Sequence, residues 1–352
     1  MKKFILKSLF FVFLFFSSFF ILVFLPKPQG SLHRVGHYID YTPNYRNHLF
    51  KKINQVTRNF KYFSEVNIQK ENSFSVLTLG DSFSKQAEYG YQNYLESDSI
   101  SVLHYNKNIN AIATLNNLIN GDLFEEIDVD FVILETVARW ATKRASRIDI
   151  SKTLNYNEII DLEDDINFKE RENEIDRNLK KNLFRRQVVY FPMVNLFRGL
   201  DDNSFIGETY RVNTDDYYFS VDKKELLFYK ESMVNQKLFK DLKMIDNLNY
   251  QLNRLDSKLK EKGVILIVMI VPTKYDIYYN HILNKDKYPK PTFFDNFKSQ
   301  PKRYKYIETF NLLQEEILKK KDVFYYDDDH WTPSTAKLIA KELRKIISEY
   351  DK

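Results

Sequence analysis

The chain of 352 residues contains no cysteine, and neither sign of charge dominates it. The absence of cysteine excludes thiol nucleophiles, thiolate metal sites and disulfides, although a cysteine-free chain occurs in reducing and in oxidising compartments alike. The 53 basic and 48 acidic residues give a formal net charge of only +5. This small excess indicates neither a nucleic-acid-binding surface nor a polyanion site, so we expect no nucleic-acid partner.

One long hydrophobic run is present, close to the N-terminus. Lys2, Lys3 and Lys7 precede Ser8 to Leu25, which contains only Phe, Leu, Val, Ile and Ser. Such a run is about long enough to span a bilayer, and no small-residue cleavage pattern follows it. The sequence therefore predicts a signal anchor over residues 1–27, with a cleaved signal peptide as the alternative. Because the lysines favour a cytoplasmic N-terminus, we expect a single-pass protein of the cell membrane with an extracytoplasmic folded part.

Three apolar runs predict strands that are buried on both faces. They are Phe74 to Leu79, Val129 to Leu134 and Val264 to Val271. Leucine and isoleucine recur at helical spacing from Leu238 to Leu259, and a second amphipathic pattern follows Thr332-Pro333. Strands that alternate with helices in this way predict an α/β fold with a mostly parallel sheet.

The same patterns predict how the chain is divided. We expect a stalk and linker over residues 28–70 and the α/β domain over residues 71–352. Around residues 141–235 we expect an insertion that contains a helix and a hairpin formed by Tyr217 to Val221 and Glu225 to Tyr229.

A serine follows the first predicted strand in the tripeptide Gly80-Asp81-Ser82. This position is the edge at which open α/β sheets bind ligands, and glycine allows the chain to turn sharply there. Ser82 is therefore a candidate nucleophile, although Gly-Asp-Ser alone is also an ordinary turn or helix-capping sequence.

A histidine flanked by carboxylates lies near the C-terminus, in the segment Tyr325 to Pro333. Of the six histidines, only His330 has several carboxylates directly before it, from Asp327 to Asp329. A serine hydroxyl becomes a good nucleophile when a base accepts its proton. A histidine accepts the proton better when a carboxylate fixes its tautomer and stabilises the imidazolium. The alternatives are a divalent-cation site formed by the three aspartates and a helix-capping loop.

In their order along the chain, these motifs resemble the SGNH-hydrolase-like domain of the alginate O-acetyltransferase and DHHW-protein family of bacterial cell-surface polysaccharide O-acetyltransferases. The matching blocks are Gly-Asp-Ser-Phe at 80–83, Tyr-x-x-Tyr-Leu at 91–95, Glu-Thr-Val-Ala-Arg at 135–139, Val-Pro-Thr-Lys at 271–274 and Asp-Asp-His-Trp-Thr at 328–332. They cover roughly residues 74–140 and 236–347. The resemblance implies an SGNH-like three-layer sandwich.

The resemblance also implies roles for residues. Ser82 is expected to be the nucleophile, His330 the base and Asp328 the carboxylate that orients the base. Some members of the group carry the Asp-His block before the serine block, whereas here the serine comes first. Other SGNH hydrolases use Asp-x-x-His spacing, which makes Asp327 the alternative; we prefer Asp328 because Trp331 follows His330.

Five further residues are candidates for contact with the substrate or the oxyanion. They are Arg139, which alternatively pairs with Glu135, Asn106, which alternatively only forms a turn, Lys274 and Tyr275, for which exposure to solvent is the alternative, and Trp331.

The resemblance implies an activity. An acetyl group would pass through acetyl-Ser82 to a hydroxyl of an extracytoplasmic polysaccharide, with a multi-span membrane acyltransferase as the acetyl donor and without a cofactor or a metal. A carbohydrate acetyl esterase with the same triad, or a non-catalytic polysaccharide-binding scaffold, are the alternatives.

Overall fold

The structure is a computed structural model that describes residues 2–24, 30–36, 45, 49, 57–97, 99–106, 110–163 and 208–350. Its strands are β1 (Lys61–Tyr62), β2 (Ser73–Leu79), β3 (Val102–Tyr105), β4 (Asp128–Val137), β5 (Thr209–Asn213), β6 (Glu225–Tyr229), β7 (Ile265–Val271) and β8 (Lys305–Tyr306). Its main helices are α1 (Lys2–Phe24), α2 (Ser31–Gly36), α3 (Tyr91–Leu95), α4 (Ala111–Asn120), α5 (Leu123–Glu126), α6 (Ala138–Ala145), α7 (Lys230–Val234), α8 (Leu242–Glu261), α9 (Lys274–Tyr278), α10 (Phe293–Lys298), α11 (Thr309–Ile317) and α12 (Pro333–Ser348). A further helical stretch covers residues 156–163.

A six-stranded sheet in the order β1-β3-β2-β4-β7-β8 forms the centre of the molecule, and every neighbouring pair in it is parallel. Alternate residues of β4 face opposite sides of this sheet. Ile133 packs in one apolar cluster with the residues of α12, and Val132 packs in the other with those of α8. Helices therefore cover both faces, and the predicted α/β fold with a mostly parallel sheet is confirmed.

The three predicted strands are β2, β4 and β7. The predicted long helix is α8, where the Asp241 side chain accepts a hydrogen bond from Lys243 N at 3.0 Å. The chain leaves this helix through Gly263, whose φ of +78° lies in the left-handed region that glycine adopts without strain. Helix α12 has Pro333 in its first turn, as expected for a residue that donates no backbone hydrogen bond.

The hairpin differs from its prediction in one strand. Strand β6 was predicted correctly, but its antiparallel partner is Thr209–Asn213, and the prediction that Tyr217 to Val221 forms this strand is wrong. The rings of Tyr218 and Phe219 instead pack on the ring of Tyr278, at 5.4 and 5.5 Å. These aromatic contacts hold the segment in the connection between the two strands. Residues 164–207 of the predicted insertion lie outside the described residues.

The N-terminal hydrophobic run lies in helix α1. Among the helices of the described residues, none qualifies as long and apolar enough to cross a membrane. The signal anchor stays a prediction.

Part of the region predicted to be a stalk packs against the α/β domain. Leu32 is fully buried, its backbone N–H donates to the carbonyl of Asp327 at 3.0 Å, and its carbonyl accepts from Thr209 Oγ1 at 2.9 Å. The segment that contains α2 is therefore bound both to the hairpin and to the loop that carries His330.

Candidate active site

The candidate nucleophile lies in a tight turn directly after β2. Ser82 is partly exposed, and the turn is closed by Ser84 N donating to the Asp81 carbonyl at 3.0 Å. Since β2 lies between β3 and β4 in a parallel sheet, this turn occupies the carboxyl edge of the sheet, where ligands bind in open α/β folds.

The Asp81 side chain fixes the turn to the end of β4. Its Oδ1 accepts from Phe83 N at 3.2 Å, and its Oδ2 accepts from Val137 N at 2.9 Å and from Arg144 Nη1 at 2.5 Å. Burial raises the pKa of Asp81, but the positive charge and hydrogen bond of Arg144 outweigh burial and hold this pKa below its ordinary value. Asp81 is therefore ionised, and its carboxylate stabilises the turn.

A second carboxyl group, that of Glu135, lies beneath the same turn. Its Oε2 accepts from Asp81 N at 2.7 Å and from Ser84 Oγ at 2.9 Å. Glu135 is fully buried, and burial, together with the charge of Asp81, raises its pKa well above the ordinary value. A Cβ on Gly80 would lie 1.9 Å from Ser84 Oγ and 2.4 Å from Glu135 Oε2. Glycine is thus required here by this close approach.

The candidate base is joined to a carboxylate two residues earlier. His330 Nδ1 lies 2.6 Å from Asp328 Oδ1, which also accepts from His330 N at 3.3 Å. An imidazole nitrogen that donates to a carboxylate leaves the other nitrogen free to accept a proton. His330 Nε2 is buried and has no hydrogen-bond partner. Burial lowers the pKa of His330, but the charge and hydrogen bond of Asp328 outweigh burial, so the pKa lies above its ordinary value.

The turn that contains Ser82 (the serine turn) packs through Phe83 against the segment 325–333 that contains His330 (the histidine loop). Its ring centroid lies 4.8 Å from that of His330 and 5.0 Å from that of Trp331. Gln86 Nε2 adds a long hydrogen bond of 3.4 Å to the Trp331 carbonyl. The structure therefore brings the Ser82 turn beside the Asp328–His330 pair, although no hydrogen bond joins the serine hydroxyl to His330 Nε2.

Arg139 lies next to this pair, but its partner differs from the one considered from sequence. Its guanidinium forms an ion pair with Asp329 Oδ2 and lies 5.2 Å from the ring centroid of Tyr229 on the hairpin. Glu135 instead accepts hydrogen bonds from the serine turn. The other carboxylate oxygen of Asp329, Oδ1, is buried without a partner.

Lys274 and Tyr275 lie in the interior of the protein and not on its surface. Both are fully buried. Lys274 Nζ donates to the carbonyls of Tyr325 and Tyr326, each at 2.9 Å. Burial lowers the pKa of Lys274 to about 7, against the opposing effect of nearby aspartates. The Tyr275 hydroxyl donates to the Pro289 carbonyl at 2.6 Å. Lys274 therefore supports the loop that contains His330, and exposure of either residue to solvent is ruled out, whereas a substrate contact stays a prediction.

The remaining candidates are Trp331 and Asn106. Trp331 is fully buried, and its Nε1 has no hydrogen-bond partner. Asn106 follows β3, and its backbone N–H donates to Glu163 Oε1 at 2.9 Å. Trp331 thus adjoins the Asp328–His330 pair, whereas Asn106 lies at the same carboxyl edge of the sheet, after the strand next to β2, with no described contact to Ser82 or His330.

The aspartates 327 to 329 do not converge on one point. Asp328 faces His330 and Asp329 faces Arg139. In the described part of the chain, no group of three or more His, Asp or Glu side chains is arranged to hold a metal ion.

Sequence reasoning missed two of the residues that hold the site together. Arg144 holds Asp81, and Ser31 donates to Asp328 through its Oγ at 2.8 Å and its backbone N–H at 3.0 Å. No local pattern marks either residue.

A parallel α/β sheet with a serine turn and an Asp-His pair at its carboxyl edge is the arrangement of serine-dependent acyl-transferring and hydrolytic enzymes. Residues 222–351 match a family described as the SGNH hydrolase-like domain of the acetyltransferase AlgX. A Pseudomonas fluorescens protein named probable alginate O-acetylase AlgJ is 34% identical over 95 residues, which are 26% of this chain and 24% of that protein. No solved structure gave a significant match.

The resemblance drawn from the motifs is thereby confirmed: residues 222–351 are similar to the SGNH hydrolase-like domain of an acetyltransferase family, and the relative is named an alginate O-acetylase. The match with the Pseudomonas protein spans about a quarter of that relative's length. The matched family segment contains Asp328 and His330 and does not contain Ser82.

Proposed function

We propose that this protein is a serine-dependent O-acetyltransferase that moves an acetyl group through Ser82 to a hydroxyl of an extracytoplasmic polysaccharide. One observation carries the proposal. His330 Nδ1 is bound to Asp328, while His330 Nε2 is buried and unpartnered beside the Ser82 turn. A base with its free nitrogen next to a serine is what nucleophilic acyl transfer requires.

In the first half-reaction, His330 Nε2 takes the proton of the Ser82 hydroxyl, and Ser82 Oγ forms a bond to the carbonyl carbon of an acetyl ester. The carbonyl electrons move to oxygen. We propose that the Ser82 backbone N–H stabilises this oxyanion, with Trp331 Nε1 as a further candidate donor. When the carbonyl re-forms, the bond to the donor oxygen breaks, and that oxygen takes the proton from His330. Acetyl-Ser82 remains.

In the second half-reaction, a polysaccharide hydroxyl loses its proton to His330 Nε2 and attacks the acetyl carbon. The bond to Ser82 Oγ then breaks, and the serine recovers the proton from His330. The acetyl group has moved from one oxygen to another, with no net change in protons. Asp328 stabilises the imidazolium that exists in both halves.

The setting of the reaction is part of the same proposal. The hydrophobic run Ser8 to Leu25 supports a single-pass anchor in the cell membrane. Acetyl-coenzyme A is a cytoplasmic metabolite, so an extracytoplasmic site needs a membrane-embedded acyltransferase as its acetyl donor. The test is extraction of membranes at alkaline pH: an anchored protein stays in the pellet, and a protein released into the supernatant contradicts the anchor.

The test of the activity is acetyl-ester turnover by the full chain in detergent, with and without an oligosaccharide acceptor. The matched variants are Ser82→Ala and, as control, Ser348→Ala, which removes an exposed hydroxyl at the end of α12. Acetylated oligosaccharide that depends on Ser82 supports the transferase. Acetate released at a rate that the acceptor does not change indicates an esterase, and turnover equal in wild type and Ser82→Ala contradicts both enzymes in favour of a scaffold.

A further inference from the structure

The segment directly after the hydrophobic run docks on the candidate active site. Gly30, Ser31, Leu32 and His33 are all buried. Besides the backbone bond from Leu32 to Asp327, the ring of His33 packs edge-on against Tyr326 at a centroid distance of 5.8 Å. Besides its contact with the hairpin, this short segment therefore contacts the loop that carries the Asp-His pair.

Within the segment, Ser31 holds the carboxylate of Asp328 at two points. Ser31 Oγ donates to Oδ1 at 2.8 Å, and Ser31 N donates to Oδ2 at 3.0 Å. Oδ1 is also the atom that contacts His330 Nδ1 at 2.6 Å. Two donors on opposite oxygens fix the plane of a carboxylate, and charge-assisted hydrogen bonds of this kind are the strong ones. Without them, rotation of the Asp328 side chain would move Oδ1 away from the imidazole.

Gly30 shows that this docking needs a close approach of two backbones. A Cβ at position 30 would lie 1.9 Å from the carbonyl oxygen of Asp327 and 2.5 Å from its carbonyl carbon. Backbone atoms of a packed loop cannot move aside as a flexible side chain can, so any other residue at position 30 separates the two segments. Gly30 thereby allows the next residue, Ser31, to reach Asp328.

We propose that Ser31 is a positioning residue of the Asp328–His330 pair, so that the segment following the hydrophobic run completes the active site of the α/β domain. This inference rests on the proposed function, because it assigns Ser31 a role in orienting the base. The competing explanation is that Asp328 only anchors the end of the short helix α2. The two explanations differ in what happens to His330 when the Ser31 hydroxyl is removed.

The first measurement is steady-state kinetics on the full chain with an acetyl ester, comparing Ser31→Ala, Ser31→Thr and the exposed-site control Ser348→Ala. Loss of one hydrogen bond to a charged group predicts a kcat about tenfold lower for Ser31→Ala, with KM unchanged. Ser31→Thr keeps the hydroxyl and is expected to restore most of the rate. Gly30→Ala, which displaces both Ser31 donors, is expected to lose more than Ser31→Ala.

The second measurement follows His330 directly and needs no substrate. Histidine-labelled protein is titrated by NMR, and the His330 signal is assigned as the one missing from His330→Gln. In Ser31→Ala, the weaker hold on Asp328 removes part of its stabilisation of the imidazolium, so the pKa of His330 is expected to fall.

The outcomes separate the two claims. A Ser31→Ala protein with wild-type kcat, or one that loses rate and stability while His330 titrates as in wild type, overturns the positioning role. If the wild type itself shows no Ser82-dependent turnover, the proposed function fails. In that case the His330 titration alone decides whether Ser31 positions Asp328.

Discussion

Replacement of Glu135 tests whether a neutral carboxyl group supports the serine turn. In Glu135→Ala, the donors Asp81 N and Ser84 Oγ both lose their acceptor inside the protein. A buried donor without a partner costs about 1–3 kcal/mol, so the two together predict a loss of about 2–6 kcal/mol in the free energy of unfolding. That is a large part of the stability of an ordinary domain. Glu135→Gln keeps a carbonyl oxygen for both donors and should lose much less.

The pH dependence of the Gln variant reveals the charge of Glu135. Burial raises the pKa of Glu135 in the folded protein, whereas in the unfolded chain a glutamate ionises near its ordinary value. Above that value the unfolded wild type therefore binds fewer protons than the folded one, and the wild type loses stability as the pH rises. The Gln variant lacks this loss, so its stability relative to wild type should improve by up to about 1.4 kcal/mol per pH unit.

The assay is urea unfolding followed by tryptophan fluorescence at pH 5 and pH 7.5. The exposed substitution Glu125→Gln serves as the control for removal of one negative charge. Should the stability of Glu135→Gln relative to wild type stay constant or fall as the pH rises, Glu135 would already be ionised in the folded protein and the reasoning would be wrong.

Three further predictions concern the loop. Asp328→Asn removes the carboxylate that faces His330 Nδ1 and should lower kcat by about three to four orders of magnitude. The carboxylate of Asp327 has no described contact with His330, so Asp327→Asn should lower kcat far less. Equal losses in the two variants would contradict the assignment of Asp328. Because the base must be neutral and the pKa of His330 is raised, kcat/KM should rise with pH through a midpoint above about 6.5, and a midpoint below that value would refute the pairing. Lys274→Met removes two hydrogen bonds to backbone carbonyls and should destabilise the protein by about 1–3 kcal/mol in urea unfolding at pH 8. The lowered pKa of Lys274 makes the stability of the wild type rise with pH above about 7. The difference in stability between wild type and Lys274→Met should therefore shrink at lower pH. A difference that does not change with pH would contradict a buried lysine.

The sequence predicts the centre of the fold because the central strands are long and apolar. Strands β2, β4 and β7 are buried on both faces, and such strands appear in a sequence as continuous apolar runs. Strands β1 and β8 have two residues each and lie at the two edges of the sheet. Runs as short as these carry no periodicity, so their pairing depends on the tertiary fold.

The same division applies to the candidate site. The contact between Asp328 and His330 is predictable because the two residues are two positions apart, and Ser82 is predictable because it follows a buried strand. Ser31 and Asp328 are 297 positions apart, and Arg144 and Asp81 are 63 apart. Side chains that support a site from such distances have no sequence signal, because only the folded chain brings them within hydrogen-bonding distance.

Support for the proposed pairing of Ser82 with His330 comes from the structure more than from the comparison with relatives. The matched segment 222–351 contains His330 and Asp328, while Ser82 follows β2, outside that segment. Phe83, the residue after the serine, is fully buried against both His330 and Trp331. Withdrawal of the serine turn from the loop would expose this ring to water, at a cost of about 1.5–3 kcal/mol for a phenylalanine. Apolar packing of Phe83 thus holds the turn that contains the proposed nucleophile, Ser82, beside the loop that contains the proposed base, His330.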